Sequence, residues 1–203
     1  MNIKKQRQLH SREDDGIFSN TTALEKGLTH YYFGDGKGKT TALIGLLIRA
    51  LGHNLKPLLI QFLKRHTIDN TKNGFFMGEI NFLKSHMEIK QFGSGKFVTP
   101  DTAKQKQEIA SARLGLEFAA TQIMSEKYDV VALDEVVNAI SMNLISIDDL
   151  VKTIKNKPDH VEIICTGMLK YKKLVDIADY VVGFNCINHP YKKGILARKG
   201  IEY

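Results

Sequence analysis

The residues best placed to do chemistry form one compact run, Gly34-Asp35-Gly36-Lys37-Gly38-Lys39-Thr40-Thr41. Ahead of it stand the apolar Tyr31, Tyr32 and Phe33; behind it Leu43, Leu46, Leu47, Ala50 and Leu51 recur at helical spacing, with Gly52 where a helix stop is expected. Gly34, Gly36 and Gly38 keep side chains away from the backbone N–H groups and tolerate positive φ. A helix opening at Lys39 adds unpaired N–H groups and the positive end of its dipole, a natural seat for phosphate. Lys39 contributes a full charge, and the Thr40 hydroxyl suits a magnesium ion held between phosphates. Phe33 stands where the usual spacing has its first glycine, Gly34 is one residue closer, and Lys37 puts a second cation inside the loop. A lysine-rich turn between an unremarkable strand and helix is the plain alternative; the strand–loop–helix context favours a phosphate loop.

A second group follows at Asp134-Glu135, the end of the apolar stretch Tyr128–Asp134. In a parallel sheet the carboxyl ends of strands gather on the edge where a phosphate loop lies, so either acid can bind magnesium opposite Thr40. Thr166-Gly167 ends the next strand on that edge and can line the same site. None of the seven histidines has a zinc-binding spacing, no Gly-x-Ser-x-Gly elbow occurs, and Cys165 and Cys186 have no visible activating partner. The residues alone thus define a magnesium–nucleotide protein with no nucleophile of its own.

The elements that must position these groups alternate. Strands are expected at Tyr31–Phe33, Pro57–Leu63, Met87–Phe92, Tyr128–Asp134, Val161–Thr166 and Asp179–Phe184. Helices are expected over 39–51, around Glu79–Leu83, from a Thr99 cap with Pro100 to about Lys127, after the Ser146 capping box, and over Leu174–Ala178. The fold class is α/β, phosphate-loop NTPase-like, with a mostly parallel sheet of about six strands and helices on both faces. Residues 1–27 read as a polar arm and 28–203 as the α/β domain.

Composition bounds the function more loosely. The chain has 203 residues, enough for one domain with a sizeable core. No apolar run reaches the ~18 residues of a membrane span, and the charged N-terminus does not read as a secretory signal, so a cytoplasmic protein is expected. The formal net charge of +7 comes from basic residues scattered among acids, which argues for solvated surface and polyanionic substrates rather than nucleic acid.

The chain resembles the phosphate-loop type of ATP:cob(I)alamin (corrinoid) adenosyltransferase from about Gly27 to Tyr203. The likeness rests on FGDGKGKTTALIG, Arg49-Ala50-Leu51-Gly52-His53, Gln61-Phe62-Leu63-Lys64, Leu133-Asp134-Glu135, Lys157 to Glu162, and Thr166-Gly167. It continues through His189 to Gly194 and ends at Gly200-Ile201-Glu202-Tyr203. The resemblance implies that Co(I) of a reduced corrinoid attacks C5′ of ATP and releases tripolyphosphate, which explains the missing nucleophile. Gly34, Asp35, Gly36, Lys37, Gly38, Lys39, Thr40 and Thr41 would then hold a leaving group, with magnesium held by Thr40, Asp134 and Glu135. Lys39, Thr40 and Glu135 become the catalytic residues by electrostatics and positioning. Arg49 and Lys64 would lie near the nucleotide. The family's aromatic segment after the Gly-x-Gly turn reads here Gly95-Lys96-Phe97-Val98, so Phe97 and Val98 are the apolar candidates against the corrinoid. The family further implies a homodimer, a reduced flavin or flavodoxin as electron donor, and a polar arm closing over the corrinoid. A phosphate-loop kinase and an ATP-binding regulatory or nucleic-acid module are the other readings the loop permits.

Overall fold

A computed structural model of the chain describes residues 24–64, 77–93 and 102–203. Within them lie strands β1 (Thr29–Gly34), β2 (Pro57–Phe62), β3 (Glu88–Phe92), β4 (Val130–Asp134), β5 (Glu162–Gly167) and β6 (Tyr180–Phe184). The helices are α1 (Lys39–Gly52), α2 (Gly78–Leu83), α3 (Thr102–Met124), α4 (Val136–Ser141), α5 (Ile147–Lys155) and α6 (Lys172–Val175). A 3-10 turn spans Pro190–Lys193. One six-stranded sheet runs β3-β2-β4-β5-β1-β6, with every neighbouring pair parallel.

The expected α/β class and strand set are therefore present, with boundaries moved by a residue or two. Gly52 closes α1 rather than following it, and His53 is its cap. The helix near 174 begins two residues early, at Lys172. Helix α4 lies where no helix was anticipated. It starts from Glu135 in the left-handed conformation (φ 62°), without a side-chain cap, so no start signal marks it in the sequence. Thr99 and Pro100, the expected start of α3, and most of the N-terminal arm lie outside the described residues.

Strand alternation divides the core in two. Leu58, Ile60, Phe62, Val131, Leu133, Ile163 and Cys165 face α3, α4, α5 and α6. Leu59, Ala132 and Ile164 face α1 and α2, against Leu43, Leu47, Ala50, Ile80 and Leu83. The central strands are buried on both faces, which is why they read as continuous apolar runs. Burial of each large aliphatic side chain here stabilises the fold by about 1.5–3 kcal/mol.

This layering also makes the site. β1 feeds α1 on one face, whereas its neighbour β5 feeds α6 on the other, so a crevice opens at their carboxyl ends. The turn out of β1 is steric as well as conformational. Gly34 has φ 122°, and a Cβ there would lie 2.0 Å from the Phe184 carbonyl oxygen of β6. Gly34→Ala is accordingly expected to cost about 2 kcal/mol or more, read as a lower urea midpoint at unchanged m. Wild-type stability in that variant would contradict the tight β1–β6 packing.

Candidate nucleotide and metal site

Lys39 is the first residue of α1 and only 6% exposed, so its charge is confined to the loop. Its Nζ donates to Gly34 O at 2.6 Å and to Gly36 O at 3.1 Å, curling back over the loop. Lys37 points the other way: its Nζ donates to Ile201 O at 2.8 Å and lies 3.2 Å from Glu202 Oε1. Arg198 binds the same Glu202, whose carboxyl is held down at about 2 chiefly by the bonds from Arg198. Residues 198–202 thus back the phosphate loop, a contact no local sequence signal gives.

Opposite the loop, Asp134 is fully buried at the end of β4. Its Oδ1 accepts from Thr40 Oγ1 at 3.0 Å and Thr166 Oγ1 at 2.8 Å, and its Oδ2 from Gln61 Nε2 at 3.0 Å. Donors from three elements thus hold one carboxylate, and from a fourth Gln91 Nε2 aims one of them by donating to Gln61 Oε1 at 2.7 Å. Sequence reasoning had Thr166 as a lining residue but gave Gln61 and Gln91 no role. The available signal was Gln61 itself, a polar side chain inside the buried PLLIQF strand.

Glu135 follows, with its N–H donating to Thr166 Oγ1 at 2.9 Å. Burial raises its carboxyl above the ordinary 4.5, Asp134 beside it adds to the rise, and Lys64, Asn138 and Lys39 oppose it. Lys64, two residues past the end of β2, is thus one of the cations whose charge acts on Glu135. Thr41 and Asp35 lie on the exposed side of the loop and helix start. Arg49 is not brought there: it is exposed in the last turn of α1, about 15 Å along the axis from Lys39. Its charge acts instead on Tyr32. Phe97 and Val98 lie outside the described residues.

The donor chemistry fits magnesium. A hydroxyl (Thr40) and two carboxylates (Asp134, Glu135) offer oxygen only, and a hard divalent ion takes one or two carboxylates plus phosphates and water. Asp134 has both oxygens engaged, whereas only Oε2 of Glu135 has a hydrogen-bond donor among the described residues. Among the described residues no nucleophile is armed there: Cys165 is buried and its thiol is pushed up to about 12 by burial.

A parallel sheet, a glycine loop at a helix start, a buried lysine, and a Thr–Asp pair across the crevice define a phosphate-loop nucleotide protein. The match to known proteins narrows that class. Residues 25–203 match the family described as ATP:corrinoid adenosyltransferase BtuR/CobO/CobP, and the chain belongs to that family. It is 30% identical over 186 residues to the corrinoid adenosyltransferase of Sinorhizobium sp, covering 90% of this chain and 83% of that one. It is 29% identical over 180 residues to the corrinoid adenosyltransferase of Escherichia coli K12, covering 88% and 87%. With the Salmonella typhimurium corrinoid adenosyltransferase CobA it shares 28% over 180 residues, again 88% and 87%.

Proposed function

We propose that this protein transfers the 5′-deoxyadenosyl group of ATP to the Co(I) of a reduced corrinoid and releases tripolyphosphate. The observation that carries it is the pairing of a cation-rich phosphate loop with an edge that, among the described residues, holds acids but no activated nucleophile. Such a site stabilises a departing polyphosphate and leaves the attack to the second substrate. The cobalt electron pair forms the Co–C5′ bond as the C5′–O bond breaks, and the triphosphate leaves with that bond's electrons. Lys39 exchanges its Gly34 and Gly36 carbonyls for phosphate oxygens, and the loop N–H groups and the α1 terminus bind the same charge. Lys37 supplies a second cation from the rim of the loop. Magnesium, when bound, neutralises and orients the triphosphate. Thr40, Asp134 and Glu135 are the residues that would hold it, with the Asp134 carboxylate aimed by Thr166 and Gln61. Lys64, set beside Glu135, moderates the repulsion between the acids and the triphosphate.

The same reading includes a homodimer, supported by the exposed Tyr180, Val181 and Val182 along the edge strand β6. It also includes a reduced flavin or flavodoxin, because Co(I) must be generated by an electron donor. Free Cys165 and Cys186 fit a reducing cytoplasm, and no helix among the described residues is long and apolar enough to cross a membrane. Phe97 and Val98 are proposed to meet the corrinoid, and Arg49 to reach nucleotide bound elsewhere than in its own loop, across the association of two copies.

Anaerobic incubation with MgATP and chemically reduced cob(I)alamin tests the proposal. Conversion to the adenosylcobalamin spectrum is expected; ATP binding with no change in the corrinoid would overturn it and favour a kinase. Because Glu135 must be ionised to serve, its raised pKa sets the acid limb of the rate. Activity is expected to fall as pH drops through a value above 4.5, and Glu135→Gln removes that limb while lowering the plateau. A limb unchanged in Glu135→Gln would assign the titration to another group.

A further inference from the structure

Asn138 lies in α4 and is only 9% exposed. Its Oδ1 accepts from the Met168 N–H at 2.7 Å, and its Nδ2 donates to Glu135 Oε2. The reversed amide would set NH2 against N–H and oxygen against carboxylate, so the orientation is fixed by its partners. Met168 O accepts from the Gly34 N–H at 3.0 Å. A continuous bridge therefore runs from the Glu135 carboxylate through Asn138 and residue 168 to the first glycine of the phosphate loop. Gly167 makes room for it, since a Cβ there would lie 2.5 Å from Val137 Cβ and 3.0 Å from Asn138 Oδ1. Glu135 itself sits at φ 62°, a left-handed backbone that a non-glycine residue keeps only where its surroundings hold it.

We infer that Asn138 is a positioning residue: it fixes the Glu135 side chain and sets its place relative to the phosphate loop through the backbone of Met168. The inference rests on the nucleotide reading above and adds to it the group that aims the acid. A buried asparagine that merely satisfied its neighbours would affect folding alone. One that positions Glu135 affects how much magnesium adds to nucleotide binding, a quantity folding does not move.

The test is calorimetric ATP binding with magnesium and, separately, with EDTA. Asn138→Asp keeps the acceptor for the Met168 N–H but turns a carboxylate oxygen toward Glu135. Its affinity for MgATP is expected to fall about tenfold or more, with metal-free ATP affinity within about twofold of wild type. Asn138→Ala breaks both ends of the bridge and is expected to weaken metal-free binding as well. Should the aspartate variant fail to fold, Asn138→Ser is read in its place, because a serine hydroxyl is too short to reach both partners. A wild-type magnesium gain in the variant that folds would overturn the inference and leave Asn138 a packing residue. Wild-type protein with no ATP affinity in either condition would instead overturn the nucleotide reading, so the two failures are distinguishable.

Discussion

Lys39→Ala is expected to lower kcat/KM for ATP by about 10³-fold, with most of the loss in kcat. The lysine is the loop's only buried cation among the described residues, and α1 begins at it. A charge in a water-poor site acts more strongly on a developing polyphosphate charge than the same charge in water. Because its present partners are the Gly34 and Gly36 carbonyls, removal leaves acceptors that water can reach, and stability should drop by only about 1–2 kcal/mol. Steady-state kinetics beside a urea denaturation curve checks both halves. A loss below about tenfold at full folding would mean that the loop does not hold the leaving group.

Asp134→Ala has the opposite balance, since it damages fold and function together. Thr40, Thr166 and Gln61 would all be left aiming donors at a fully buried vacancy. Stranding buried donors costs about 1–3 kcal/mol each where no water enters, so a total of roughly 3–5 kcal/mol is expected. That would be read as a large fall in the denaturation midpoint. Activity should fall by about 10²-fold or more even at temperatures where the variant stays folded. Asp134→Asn keeps the volume but presents an NH2 to donors, so it should recover packing without recovering activity. Recovery of activity in the asparagine variant would remove the carboxylate from the proposed metal site.

Much of this was legible in the chain itself, for reasons particular residues make plain. β2, β4 and β5 are buried on both faces, so PLLIQF, VVALD and EIICTG read as apolar runs without a structure. The phosphate loop was legible because glycine spacing and Lys-Thr at a helix start carry their own chemistry. What stayed hidden depends on partners distant in sequence. Gln61 acquires meaning only when β2 lies beside β4 and brings it to Asp134, 73 residues away. Glu202 reaches Lys37 across 165 residues, and Asn138 reaches the Met168 N–H across 30. α4 was missed because its cap is a left-handed glutamate, a geometry that tertiary bonds impose and local preference opposes. Arg49 shows the converse: its motif is present, yet helix geometry carries it to the far end of α1.

The most direct measurement is the phosphate product of a single anaerobic turnover with cob(I)alamin, followed by phosphorus NMR. Intact tripolyphosphate, equimolar with the adenosylated corrinoid and formed about 10³-fold more slowly in Lys39→Ala, is the expected result. ADP, or phosphate formed without an adenosyl–cobalt product, would contradict it and make the loop a phosphoryl-transfer site.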